Sequence, residues 1–148
     1  MGFDIFAVEP TDKTNDYFRS NVWYWRPLWN MVKIMCNELS QEDFEGGSYN
    51  DGYLIDKDKS LSIGNKLKIM LETNKFDEYK EKYEESLSNL PKRICTMCKG
   101  DGEFIDHKCK DCKGSGKLEN FNTYYRLDKE LTTQFYKFCI NSGGFQIC

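Results

Sequence analysis

CTMCKGDG, residues 95–102, returns fourteen residues later as CKDCKGSG, residues 109–116, and there is no third copy. The four thiols read C-x2-C-x10-C-x2-C. Two residues between thiols let both sulfurs of a pair reach one ion from a tight turn, and the ten-residue connection lets two such turns face each other. Four thiolates enclose Zn²⁺ in a closed tetrahedron, so Cys95, Cys98, Cys109 and Cys112 are the predicted ligands of one zinc ion per chain. Iron fits the same four sulfurs chemically, and the spacing does not separate the two metals. Gly100 and Gly114 free the backbone to curl so that amides point at sulfur, while Gly102 and Gly116 let each turn pass back into a strand. His107, the single histidine, reads as an exposed loop residue, because four cysteines already satisfy the ion.

The C-x-x-C-x-G-x-G unit resembles the cysteine-rich zinc region of DnaJ-type co-chaperones, where four such units build two zinc sites. The resemblance covers the 22 residues from Cys95 to Gly116 and implies one site from two units. No His-Pro-Asp triplet occurs in the chain, so the co-chaperone function of that family is not implied. A half-size module of this kind also resembles that of anti-TRAP-like proteins, small bacterial regulators that act by binding another protein. The remainder, particularly YFRSNVWYWRPLW (17–29) and NSGGFQIC (141–148), is similar to small proteins of bacteria and their phages.

Charge narrows the function classes. The net charge is −3, and the excess of bases is confined to residues 91–118, where seven stand against four acids. An acidic chain with one short basic stretch, most of it beside a thiolate site, is not built to coat nucleic acid, and no general nucleic-acid binding is expected. The module also offers only Phe104 for stacking and Arg93 for base reading. A Cys₄ site keeps no open coordination position, one histidine gives acid–base schemes no identifiable partner, and no phosphate-binding loop appears. No catalytic residue is therefore assigned. Seven cysteines, an odd number, do not suit an extracellular disulfide framework, and MGFDIF lacks a signal-like start, so a cytoplasmic location with no membrane span is expected.

Periodicity predicts a mainly α (α+β) fold: a small helical domain with a short N-terminal strand and a two-hairpin Cys₄ module inserted before the C-terminal helix. Residues 1–148 read as a single domain, with residues 92–118 as a zinc subdomain. FDIFAVEP (3–10) alternates as a strand, and TDKTNDYFRSN (11–21) reads as a loop. A helix follows from Pro27, or from Asn21 with a kink, carrying Leu28, Val32, Met35 and Leu39. QEDFEGGSYNDGYLI (41–55) reads as a loop rich in Gly, Asn and Asp. Ser60 is placed as the cap of a helix with Leu61, Leu67 and Leu71; a second carries Phe76, Tyr79, Tyr83, Leu87 and Leu90 and stops at Pro91. The last helix enters through Asp128 and ends at SGG (142–144), with FQIC as a closing strand.

The expected function is protein binding: a zinc-stabilised adaptor, regulator or inhibitor with an unidentified protein partner, phage-encoded and acting on a host protein in its most specific form. The alternatives are a nucleic-acid-binding regulator and a small enzyme with a site near the 41–56 loop. Hairpin tips at Asp101, Glu103, Lys110 and Asp111 are the expected partner contacts, since a metal-fixed hairpin loses little freedom on docking. The cluster Trp23, Trp25 and Trp29 is either core, with Arg19 or Arg26 stacked on an indole, or an interface. Nothing in the pattern sets an oligomeric state.

Overall fold

A computed structural model describes residues 1–148. The elements run β1 (Gly2–Ala7), β2 (Tyr17–Asn21), α1 (Val22–Met35), α2 (Gln41–Gly47), β3 (Tyr53–Ile55), α3 (Lys57–Glu72), α4 (Lys75–Ser88), β4 (Arg93–Ile94), β5 (Glu103–Phe104), β6 (His107–Lys108), β7 (Lys117–Leu118), α5 (Lys129–Asn141) and β8 (Phe145–Ile147). This is the α+β, mainly helical class that the periodicity predicts. No helix is long and apolar enough to cross a membrane. The chain divides into two compact units, one of Met1–Glu81 with Tyr125–Cys148 and one of Lys82–Tyr124.

In the larger unit, the N-terminal strand belongs to a four-stranded antiparallel sheet ordered β2-β1-β8-β3. Alternation sends Phe3 and Ile5 of β1, Phe18 and Ser20 of β2, Ile55 of β3, and Phe145 and Ile147 of β8 into the interior. The stretch read as a loop at 11–21 contains β2. Its outward residues Tyr17, Arg19 and Asn21 are polar, so only Phe18 and Ser20 carry the inward half of the pattern.

Asn21 caps α1 by accepting from the N–H groups of Trp23 and Tyr24 at 3.0 and 3.1 Å, so the helix starts at Val22 and Pro27 lies inside it. Proline offers no N–H to the carbonyl four residues earlier. That carbonyl, Trp23 O, instead accepts from Arg126 N–H at 3.1 Å. Trp25 and Trp29 are core: they stack with ring centroids 5.3 Å apart, and Trp25 also meets Phe3 at 5.5 Å and the edge of Phe135 at 5.3 Å. Neither candidate arginine covers an indole. Arg19 lies 3.6 Å from Asp4, and Arg26 contacts Tyr125.

The segment 41–55 departs most from its loop reading. Ser40 and Asp43 form a capping box, Ser40 Oγ accepting from Asp43 N–H at 3.1 Å and Asp43 Oδ2 from Ser40 N–H at 2.7 Å, and α2 follows. Its glycines serve packing: a methyl group on Gly46 would overlap the Tyr53 ring, and one on Gly47 the Trp29 indole. Asp43 is buried and also accepts from Tyr53 Oη at 3.1 Å and Lys59 Nζ at 2.8 Å, which ties α2, β3 and α3 together. Burial alone would raise its carboxyl, but Lys59, Ser40 and Tyr53 outweigh burial and hold it below the usual aspartate value of 3.8.

Asp56, not Ser60, caps α3, accepting from Lys59 N–H at 2.9 Å. Ser60 is instead buried one turn in, donating from Oγ to Cys139 O of α5 at 2.7 Å. Gly64 lets α5 approach closely, since a Cβ there would stand 2.7 Å from Ile140. Cys36 and Cys139 are buried thiols; burial pushes Cys36 up to about 11. The capped start of α5 at Asp128 and the strand after SGG are as predicted.

Gly47→Ala should destabilise the chain by about 1–3 kcal/mol through overpacking on Trp29, measured by urea denaturation, whereas Gly2→Ala, with its nearest atom 3.5 Å away, should change stability little. Asp43 supplies a stability component that is complete above its unfolded value of 3.8 and disappears as pH falls through the lower folded value. Unfolding curves across that acid range should show this loss, and Asp43→Asn should remove it.

Candidate metal centre

The smaller unit is built on two short antiparallel pairs, β4 with β7 and β5 with β6. Arg93 anchors its base, donating from Nε to Glu119 O at 3.0 Å and lying 4.0 Å over the Phe121 ring. β5 and β6 are joined by the two residues Ile105 and Asp106, with φ of +50° and +57°, the left-handed pair that a type I′ hairpin turn demands.

The repeat in sequence is a local twofold relation in space. Gly102 N–H donates to Cys98 Sγ at 3.2 Å, and Gly116 N–H to Cys112 Sγ at 3.2 Å. Asp101 N–H meets Cys98 O at 3.0 Å, and Ser115 N–H meets Cys112 O at 3.1 Å. The copies also cross-link: Cys95 N–H donates to Gly116 O and Cys109 N–H to Gly102 O, both at 2.9 Å.

Gly102 and Gly116 are required twice over. Their φ values of +80° and +73° disfavour a side chain, and a Cβ would collide with Gly114 O in one case and Gly100 O in the other. Sulfur-directed amides come from Gly102 and Gly116, and the Gly114 backbone adds a further hydrogen bond to Cys112. The curl itself is shared, because Lys99 and Lys113 are left-handed at +54° and +53° together with the glycines that follow them.

The four thiols converge. Cys95 Sγ lies 3.8 Å from Cys109 Sγ, Cys98 Sγ lies 3.7 Å from Cys112 Sγ, and all four sulfurs fall within 4.8 Å of one another. Those separations are far beyond the ~2.05 Å of a disulfide. A tetrahedral zinc with sulfur about 2.3 Å away has S···S edges of about 3.8 Å, so the donor set fits such an ion in size and chemistry. The cysteines are 0–6% exposed, and Leu118 packs against them. Burial works against the Cys112 thiolate, but the Gly116 N–H and the Cys109 and Cys98 thiols outweigh it and hold the thiol below its usual value, while the same pairing pushes Cys109 up. Four thiolates around Zn²⁺ leave a net charge of about −2. The exposed Lys99, Lys108, Lys110 and Lys113 carry the opposite sign.

His107 is exposed on β6 and stands outside the cluster. Asp101, Glu103, Lys110 and Asp111 are exposed around it. Apolar side chains also reach solvent on this unit, among them Ile94, Met97, Phe104 and Ile105, of which the sequence pattern singled out Phe104 alone. A β-branched residue at the left-handed position of the turn was the available signal.

A segment of 25 residues, 17% of this chain, is 60% identical to the chaperone protein DnaJ of Wolbachia sp. subsp. Brugia malayi (strain TRS). The match spans 7% of that protein's length. With the four-cysteine cluster it fits a DnaJ-like cysteine module. No family model matches the chain, and no solved structure matches it.

Gly116→Ala and Gly102→Ala should each weaken metal binding by about tenfold or more, through the lost sulfur-directed geometry and the backbone collision. Cobalt(II) titration, read by the visible absorption of tetrahedral thiolate cobalt, measures this. Lys110→Ala, on an exposed side chain, should bind cobalt as the wild type does.

Proposed function

We propose that this chain is a zinc-stabilised protein-binding adaptor, regulator or inhibitor. The supporting observation is the enclosure of the four sulfurs. Cys95, Cys98, Cys109 and Cys112 surround one point from all sides, so an ion held there has no position left for water or substrate, and its contribution is structural. One zinc per chain would hold the two knuckles rigidly together, and rigid exposed groups lose little freedom on docking. The surface so presented carries Asp101, Glu103, Lys110 and Asp111 beside the apolar Phe104 and Ile105. Buried centre plus polar rim is the composition of protein interfaces. A phage-encoded protein acting on a host protein in the cytoplasm is the most specific form of this reading, and it rests on the resemblance of residues 17–29 and 141–148 to small phage and bacterial proteins.

Metal analysis of protein purified without chelator should give about one zinc per chain. Chelation should then loosen Lys82–Tyr124 while much of the far-UV helical signal survives, because the four helices α1, α2, α3 and α5 and their core belong to the other unit. Binding to a captured protein partner should fall on chelation and on reversing charge at Lys110 and Asp111, with zinc content unchanged in the charge variant. Retained binding after both treatments would sink the proposal. A steep salt-dependent affinity for DNA or RNA would replace it with a nucleic-acid-binding regulator.

A further inference from the structure

The four-stranded sheet is covered on one face only. Phe3, Phe18 and Phe145 point inward onto Trp25 of α1 and Phe135 and Phe138 of α5. Alternation turns the residues between them outward. The pairing register then sets four of these side by side across the whole sheet: Tyr17 of β2, Phe6 of β1, Gln146 of β8 and Leu54 of β3. Phe6 is 46% exposed, Tyr17 43% and Leu54 58%, so the row is open to solvent.

Polar groups on this face are satisfied within it. In the next row Arg19 Nε lies 3.6 Å from Asp4, and Tyr17 Oη donates to the same carboxylate. Gln146 Nε2 donates to Gly52 O at 3.0 Å. The row and its neighbour thus carry one acid, one base and no net charge. Partners recognised by charge are disfavoured: nucleic acid would meet a single guanidinium held by a carboxylate, and a charged peptide would find no surplus of opposite sign. A second copy is favoured, because two neutral faces do not repel and a two-fold interface needs a patch that complements itself. The row meets that need. A two-fold axis parallel to the strands, at the middle of the sheet, reverses the strand order, so Tyr17 of one copy faces Leu54 of the other and Phe6 faces Gln146.

We propose that this open sheet face is the contact surface of a weak homodimer. The sheets of two copies pack face to face about 10 Å apart, each backed by its own helices. Strand spacing of about 4.8 Å gives a patch about 20 Å square, which is about 400 Å² per copy and about 800 Å² in total. Stable complexes bury about 1,200–2,000 Å², so this dimer forms at high protein concentration and exchanges rapidly. None of these residues belongs to the metal module, so the dimer and the adaptor role stand or fall separately.

Sedimentation equilibrium of the zinc-loaded full chain should show monomer and dimer in equilibrium, with a dissociation constant of about 0.1–1 mM. Heteronuclear NMR over the same concentrations should show amide shifts at Phe6, Tyr17, Leu54 and Gln146. Phe6→Lys and Leu54→Lys, each on an exposed side chain, should weaken association by about tenfold or more with an unchanged far-UV spectrum, since the new charge would be buried without a partner. Ile105→Lys, on the smaller unit, should dimerise as the wild type does. Raising salt tenfold should change the constant by less than about twofold, because no net charge is brought together. A chain still monomeric at about 1 mM, association that survives both sheet substitutions, or association lost in Ile105→Lys overturns the proposal. A constant that weakens steeply with salt overturns it too. Shifts confined to the backbone of Tyr17, Arg19 and Asn21 overturn the face-to-face arrangement in favour of pairing along the β2 edge.

Discussion

The larger unit depends on β8 lying between β1 and β3. Ile147 sits opposite Ile5 on one side and Tyr53 on the other, and Phe145 sits opposite Ala7 and Ile55. Its ring meets Phe135 at 5.9 Å and Phe138 at 5.8 Å, so the same three-residue strand joins sheet to helix. β3 and β1 are connected only through it, and it is the last element of the chain. The sheet therefore closes through pairings that span most of the sequence, and such closure is entropically expensive until the buried aromatic side chains are in place.

Around that closure, polar groups displaced by one constraint are satisfied by another. Pro27 removes a donor from α1, and Arg126 N–H takes its place at Trp23 O. Asp43 is a buried carboxylate, and donors from the residue before its helix, from β3 and from α3 surround it. The indoles of Trp25 and Trp29 point their N–H groups at carbonyls of the short helix α2, so the aromatic core specifies where that helix ends. Each buried polar group left unmatched would cost about 1–3 kcal/mol, and this network removes that penalty at three places.

The metal module works on the opposite principle. Its contacts are short-range: amide to sulfur across four residues, and one copy of a repeat against the other fourteen residues away. Backbone touches backbone at Gly102 and Gly116, so no side-chain substitution elsewhere can restore the approach if either position gains a Cβ. A short segment can specify this geometry by itself; the likeness to DnaJ is confined to 25 residues, and no family model matches the chain.

The same difference in range decided what could be read from residues alone. The cysteine spacing, the glycines behind it, the capped start of α5 at Asp128 and the strand after SGG are local chemistry, and each was legible. Ser40 and Asp43 were an equally local capping signal, but Gly46 and Gly47 masked it, because their reason for being glycine is the Tyr53 and Trp29 rings brought in from elsewhere. β2 was hidden because its inward pattern rests on two residues whose burial exists only once α5 covers them, Phe18 lying 5.0 Å from Phe135. Trp25 and Trp29 could be core or interface until the sheet and α5 enclosed them. Sequence by itself determined the thiol cluster and the helix signals, since these depend on neighbours a few bonds away. Tertiary structure alone decided the strand order, the buried Asp43 and the exposed row through Phe6, since these depend on which distant side chains are brought together.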